Sequence, residues 1–329
     1  MTILVGDLGG THTRLALAEL TGRHVSLSRV ARYRNHEHAN LNAILATYLD
    51  VHRADEETCT SCCLAVAGPT DGRSVQFTNL AWRVETDALM QRFGFTQCRL
   101  INDFAAVGWG LNTLESSALE TLQSGQPVPG GAAVALGAGT GLGVSLCAWR
   151  GDLERGYYQP LASEGGHVGF APINDEQDRL LAYLRPLYGR VSVERILSGP
   201  GLVDLFRFCL DDANLSHSPL LESTHPAEAI SQAGLDLTDA IATHCLRLFA
   251  QLYGQTAGDW ALAAQTSGGL FLAGGIAPKL LPVLHSGVFL DGFNAKGRYS
   301  DWMTGVPVSV ILDPDIGLKG AAFAGAQFE

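Results

Sequence analysis

Three glycine clusters constrain this chain more than any other feature, because each directly follows a short apolar run. Residues 2–5 reach the turn Gly6-Asp7-Leu8-Gly9-Gly10-Thr11, residues 132–136 reach Gly137-Ala138-Gly139-Thr140-Gly141, and residues 270–273 reach Gly274-Gly275. Short apolar runs closed by glycine read as buried strands ending in tight turns. Glycine also lets a backbone approach an anion closely and aim successive N–H groups at it. Singly, each cluster is equally an ordinary turn. Three of them, each after an apolar run, point to phosphate binding.

The standard helix-capping phosphate cradles are excluded by inspection. The chain has three lysines, Lys279, Lys296 and Lys319, preceded by Pro278, Ala295 and Leu318, so none completes the Gly-Lys-Ser/Thr of a P-loop. Counted from Gly137 or Gly139, the third glycine of a dinucleotide-binding fingerprint falls on Leu142 or Val144. What remains is a hairpin phosphate loop, with glycines between two antiparallel strands and Thr11 and Thr140 adding hydroxyl donors.

Of the 329 residues, 47% are hydrophobic and 17% charged, which suits two ordered domains. A net charge of −11 makes the chain a poor general binder of nucleic acid or anionic membrane. The opening MTILVGDLGGTHTR lacks a basic leader, and residues 270–284 are broken by Gly274, Gly275, Pro278 and Lys279, so neither reads as a signal or a membrane span. Seven scattered cysteines read as reduced thiols of a cytoplasmic protein. Cys59, Cys62 and Cys63 contain a CxxC spacing without a second Cys/His pair at zinc-ligand distance, and read as small buried residues.

The expected order is a β-meander (strands at 2–5, 13–18 and 25–33), a helix over 41–52, and strands at 64–67 and 75–78. A helix over 86–93 with Thr86 or Asp87 as cap comes next, then a strand at 100–101 and a helix from about 105. The pattern partly recurs: strands at 132–136 and 144–149 around a turn at 137–143, then helices over 175–187, 193–196, 201–210 and 237–264. Strands at 270–273 and 308–312 and a helix over 317–326 complete it. Two α/β halves, each opening with a strand–glycine turn–strand hairpin, suggest a duplicated architecture with a cleft between lobes.

Gly6-Asp7-Leu8-Gly9-Gly10-Thr11 followed by Arg14-Leu15-Ala16 resembles the first phosphate motif of the sugar kinase, Hsp70 and actin superfamily. Within it the whole chain resembles bacterial ATP-dependent glucokinases. The matching blocks are Thr78-Asn79 with Trp82, Ile101-Asn102-Asp103-Phe104, Gly137 to Gly143, Glu164-Gly165-Gly166-His167, the run SVERILSGPG at 192–201, and Ala273-Gly274-Gly275-Ile276. The resemblance implies a two-lobed ribonuclease H-like (actin-like ATPase) α/β fold. A small domain, 1–110 rejoined by about 301–329, would face a large one, 111–300. It implies ATP and glucose as substrates, Mg²⁺, a homodimer and the first step of glycolysis. Sugar kinases of the related repressor-and-kinase group carry a cysteine-rich zinc motif soon after the histidine block. Here no cysteine lies between His167 and Ser198, so no zinc is expected.

Transfer of a phosphoryl group to a sugar hydroxyl needs an oriented nucleophile, a base for its proton, and neutralised phosphates. Asp103, at a strand end before a helix, is the candidate base; from position alone it is equally a helix cap. The resemblance selects the catalytic role. It also implies that Asp7 approaches Mg²⁺ through water, and places Asn102, Glu164, His167 and Glu194 around the sugar, with Asn79 and Gly139 bordering it. Gly6, Asp7, Leu8, Gly9, Gly10, Thr11, Gly139, Thr140, Gly141, Gly274 and Gly275 form the nucleotide set. The alternatives are a kinase for another hexose, such as fructose or an N-acetylhexosamine, and a silent sugar sensor on the same fold. Retention of Asp103 and both phosphate turns argues against the sensor.

Overall fold

Side-chain alternation along the first strand already divides its two faces, and a computed structural model describes residues 2–52, 59–77 and 80–327. Strands β1 (Thr2–Leu8), β2 (His12–Thr21) and β3 (His24–Arg34) form an antiparallel meander. Helix α1 (Leu41–His52) precedes β4 (Ser61–Val66), which lies parallel to β1 on its other side. A ribbon of β5 (Ser74–Gln76) and β6 (Arg83–Glu85) and helix α2 (Thr86–Phe93) lead to β7 (Gln97–Asn102) and α3 (Asp103–Gly110). The first sheet has the order β3-β2-β1-β4-β7.

The chain then forms β8 (Leu119–Gln123), β9 (Ala133–Ala138), β10 (Leu142–Arg150) and β11 (Tyr157–Ser163). Helices α4 (Asp175–Tyr188), α5 (Gly199–Asp212), α6 (Pro226–Leu235) and α7 (Ala240–Ala263) precede β12 (Gly269–Ala273). Short helices α8 (Leu281–Leu284), α9 (Val288–Asn294) and α10 (Ser300–Thr304) lead to β13 (Val308–Ile311) and α11 (Ile316–Ala326). The second sheet runs β11-β10-β9-β12-β13-β8. Both sheets therefore share one plan: three strands consecutive in the chain, then two strands parallel to the first of them. In each, the glycine turn joins the first strand to the second. The duplication read from the glycine hairpins is a property of the topology.

The chain divides into two compact units. Unit 1 comprises Met1–Ala118, Cys147–Ala162 and Asp313–Glu329; unit 2 comprises Leu119–Leu146 and Ser163–Leu312. In unit 1, Leu4 and Leu8 of β1 pack with α1 and α2 residues, while Ile3 and Val5 pack with Trp109 of α3 and Leu318 and Phe323 of α11. Burial of such side chains contributes roughly 1.5–3 kcal/mol each. Tyr157 stacks on Trp109, and the Asn112 side chain bonds both backbone groups of Tyr158, which ties Cys147–Ala162 into this unit although no composition shift marks it. Unit 2 is built around α7, whose Leu246, Phe249, Tyr253 and Ala257 are fully buried or nearly so.

Caps set several boundaries that periodicity leaves open. Asp239 caps α7, so that helix starts at Ala240 and not at Leu237; Ser198 caps α5. Such a cap is worth about 1 kcal/mol. Neither Thr86 nor Asp87 caps α2: Glu85 occupies the cap position, with no side-chain bond. Residues 193–196 form only a short 3₁₀ turn, Val193–Arg195. Among the described residues no helix is long and apolar enough to cross a membrane.

Candidate active site

In unit 1 the first glycine turn is a three-residue connection, Gly9 to Thr11, closed by the Gly9 N–H donating to the His12 carbonyl at 3.0 Å. Asp7 shares the β1 face of Ile3 and Val5 and stands opposite Arg14 in the register. It is half-buried; that burial pushes its carboxyl up, and Arg14 opposes the shift. Arg14 itself is tied to Asp315 and donates to the Pro314 carbonyl at 3.0 Å. Gly6 and Leu8 have packing roles. A Cβ at Gly6 would meet Leu64 at 2.7 Å, and Leu8 is buried in the core, so they reach a ligand only through the backbone of the motif.

Thr11 and Gly10 are exposed at the tip. Partial desolvation and then the neighbouring Arg32, Arg34 and His36 hold His12 below the ordinary imidazole value, with Glu37 opposing.

At the end of β7 the roles of the Asn-Asp pair separate. Asn102, 7% exposed, is the N-cap of α3: its Oδ1 accepts from the N–H groups of Phe104 and Ala105, both at 3.0 Å, while its Nδ2 donates to Gly68 at 3.4 Å. The cap role that position alone allowed for Asp103 thus falls to its neighbour. Asp103 is half-buried at the first helical position, and its Oδ1 accepts from the Phe104 N–H at 2.7 Å. That donor fixes one carboxylate oxygen at a helix N-terminus, where negative charge is favoured.

In unit 2, β9 runs through Gly137 and Ala138, because Gly137 stays in register with Ala273 of β12. The turn expected over 137–143 therefore shrinks to Gly139-Thr140-Gly141. It is closed by Gly139 N–H to Gly141 O at 2.8 Å, and the Gly199 N–H donates to Gly139 O at 2.8 Å. The third cluster lies beside it: Ile276 N–H donates to Ala138 O at 3.3 Å, and Gly274 has φ +80°, with room for no Cβ against that carbonyl. Tyr253 supports the strand end from α7, its hydroxyl donating to Leu136 O and accepting from Ala138 N–H.

Gly139 and Gly275 are different from Gly274. Neither has positive φ, and a Cβ at either would meet nothing within 4 Å. The fold does not require glycine there, so the missing side chains leave space for something else.

Glu164, His167 and Glu194 come together around this turn. His167 Nδ1 is 3.8 Å from Glu194 Oε1, and its Nε2 is 4.0 Å from Glu164 Oε2; at these separations the groups face one another without hydrogen bonding. Glu194 Oε2 accepts from the Leu142 N–H at 3.0 Å, at the exit of the glycine turn. Gly141 makes room for that carboxylate, since a Cβ there would stand 2.6 Å from Oε2. Gly166 packs against the Leu142 backbone, and Arg190 Nη1 donates to the His167 carbonyl at 2.7 Å. Ser198 holds the Glu194 segment, donating to the Glu194 carbonyl at 2.8 Å while it caps α5. Asn79 lies outside the described residues.

The motif reading missed Asn35, Ser198 and Tyr253. Ser198 carried a signal, as a serine before Gly-Pro-Gly is a typical N-cap. Asn35 and Tyr253 act through long-range pairing and have none.

A duplicated meander sheet with a glycine turn in each copy, and a carboxylate at the end of a parallel strand, is the plan of the actin-like fold to which sugar kinases belong. Solved structures agree. A glucokinase from an Antarctic psychrotroph superposes with a TM-score of 0.85 at 30% identity, covering 99% of both chains. A ROK family glucokinase from Streptomyces griseus, in complex with glucose and AMPPNP, superposes with a TM-score of 0.68 at 21% identity, covering 99% of this chain and 100% of that one. The chain is also 37% identical to a glucokinase of Nostoc punctiforme over 345 residues, 99% of each. It belongs to the glucokinase family, which it matches over residues 4–328, and is an ATP-dependent hexose kinase.

Proposed function

We propose that this chain transfers the γ-phosphoryl group of ATP to the 6-hydroxyl of glucose, with Asp103 as general base. Asp103 accepts the hydroxyl proton while the sugar oxygen bonds to phosphorus and the bond to the ADP oxygen breaks. Asn102, Glu164, His167 and Glu194 read the other hydroxyls, since a carboxylate, an amide and an imidazole together match groups that both donate and accept. Asn79 and Gly139 border the sugar.

One observation carries the reading. Glu194 bonds the backbone at the exit of the second glycine turn with one oxygen and faces His167 with the other. The phosphate turn and the hydroxyl-reading set of unit 2 are thereby one piece of structure. The open space at Gly139 and Gly275 supports phosphate approach to that piece.

The residues fit Mg²⁺. A divalent cation coordinating phosphates needs one or two carboxylates, and Asp7 is a carboxylate beside the first turn whose charge burial penalises. Bound with the nucleotide, Mg²⁺ would neutralise phosphate charge that no P-loop lysine is present to meet. Zinc forms no part of this reading. The enzyme is placed in the cytoplasm, where its seven free thiols stay reduced, and acts as a homodimer as its resemblance implies.

The test is a coupled assay of product ADP with a panel of hexoses and both ATP and other donors. Glucose with Mg²⁺ and ATP should give the highest kcat/KM. A higher value for fructose or an N-acetylhexosamine would overturn the substrate assignment, and no turnover with any hexose would overturn the enzyme reading.

A further inference from the structure

The first glycine turn has a brace that its own motif does not contain. Asn35, just beyond the end of β3, is 2% exposed. Its Nδ2 donates to the Gly9 carbonyl at 2.8 Å, and its backbone N–H donates to the Thr11 carbonyl at 2.9 Å. Its Oδ1 accepts from the Thr13 hydroxyl at 2.8 Å, which fixes the amide's orientation. The Gly9 N–H is meanwhile used to close the turn on His12.

Two carbonyls of the turn are thus drawn toward Asn35, that of Gly9 by the buried side-chain amide and that of Thr11 by the backbone N–H. Among the described residues, no backbone partner takes the N–H groups of Gly10 and Thr11. A phosphate oxygen is attracted by N–H dipoles and repelled by carbonyl oxygens, so the facing of these few groups decides whether a turn binds an anion or rejects it. We infer that Asn35 is a positioning residue for the nucleotide. It turns the Gly9 and Thr11 carbonyls inward, so that the tip meets the triphosphate with its donors and the Thr11 hydroxyl. The inference rests on the reading that this turn meets phosphate. It competes with a plainer role, in which Asn35 only ties the end of β3 to the hairpin and contributes to stability.

The two roles separate in kinetics. Asn35→Asp keeps the size and the acceptor for Thr13 but loses the donor to Gly9, and it sets a carboxylate against that carbonyl. Asn35→Ala removes both side-chain bonds and leaves only the backbone N–H to the Thr11 carbonyl. Both should raise KM for ATP by about tenfold or more, and weaken AMPPNP binding by calorimetry to a similar extent, as the loss of a buried brace bonded to backbone warrants. KM for glucose should stay within about twofold, because Asn35 bonds none of the residues assigned to the sugar. Thr13→Val, which removes only the bond that orients the amide, should give a smaller rise in the same KM; it tests the idea if the Asn35 variants fail to fold. A fall in Tm with unchanged KM for ATP, or a parallel rise of both KM values, would overturn the positioning role. Wild-type protein assayed alongside separates the failures: no turnover there sinks the kinase reading, whereas active wild type with an unaltered Asn35→Asp sinks only this inference.

Discussion

The two glycine turns occupy the same place in their sheets, each joining the first strand to the second, and are braced by different means. In unit 1, Gly9-Gly10-Thr11 is held by a neutral, buried amide from the end of the edge strand, and that amide touches no residue of the sugar-reading set. In unit 2, Gly139-Thr140-Gly141 is held by the Gly199 N–H and by Glu194, a carboxylate that also faces His167. On the proposed reading, the first turn is given over to phosphate alone. The second shares its brace with the group proposed to read sugar hydroxyls, so disturbance there should reach both substrates. Binding energy from the sugar can then help to shape a phosphate loop, which is one way a kinase keeps water from taking the sugar's place.

The largest expected effect belongs to neither turn. Asp103→Asn keeps an acceptor for the Phe104 N–H, so the local helix start survives, but it removes the proton acceptor. Turnover should fall by about 10²–10⁴-fold with both KM values little changed. Steady-state kinetics check this, and a mutant with wild-type kcat would remove the base assignment. Glu194→Ala comes next and breaks the shared brace. Loss of a charge-assisted hydrogen bond costs about 1.5–3 kcal/mol, so KM for glucose and for ATP should both rise by roughly tenfold or more. Glu194→Gln sharpens the comparison: its amide oxygen can still accept from Leu142, so KM for ATP should recover while KM for glucose stays raised. If Glu194→Ala altered only the glucose term, the two turns would be independent after all.

What could be read from the chain, and what could not, follows the range of the interactions. Helices α1 and α2 are legible to the residue because their apolar periodicity is local. Strands β8 and β11 are not, since LETLQ and YYQPLAS lie at the sheet edges, half-buried, with no apolar run. Asp103, Glu164, His167 and the glycines announce themselves through contiguous motifs. The Asn35 bond to Gly9 spans 26 residues and the Leu142 bond to Glu194 spans 52, and both depend on strands and turns meeting after the fold has formed. Asn35 sits in the polar run RNHEHAN, where nothing distinguishes it from a surface loop residue. Local chemistry is therefore visible in sequence, and the braces that aim it are not.

Two smaller effects probe the second turn without touching Glu194. Gly139→Ala adds a methyl group into open space at ordinary backbone angles, so the free protein should keep its Tm. If phosphate approaches there, the methyl occupies its place, and overpacking of about 1–3 kcal/mol should raise KM for ATP by several-fold to about a hundredfold. Unchanged ATP kinetics with unchanged Tm would show that the opening is not a phosphate site.

The weakest effect concerns the support behind α5, whose first residue, Gly199, bonds the turn. Arg179 of α4 makes two bonds to Asp212 of α5, at 2.7 and 2.9 Å, and these bonds hold the Asp212 carboxyl below the usual range, with burial opposing. A carboxyl depressed in the folded state contributes stability above its unfolded value, near 3.9, and loses it as pH falls through the lower folded value. The pair is largely exposed and screened by solvent, so its contribution is small. Asp212→Asn should therefore lower Tm by a few degrees at most at pH 7, with the gap to wild type closing as pH falls below the ordinary carboxylate range. The brace in unit 1 is an uncharged amide and should show no matching pH dependence. Thermal melts of Asp212→Asn and Asn35→Ala across pH, scored by whether wild type and Asp212→Asn converge in acid, would decide whether the pH sensitivity of the second unit's support is real; parallel curves at all pH values would show that the ion pair adds nothing.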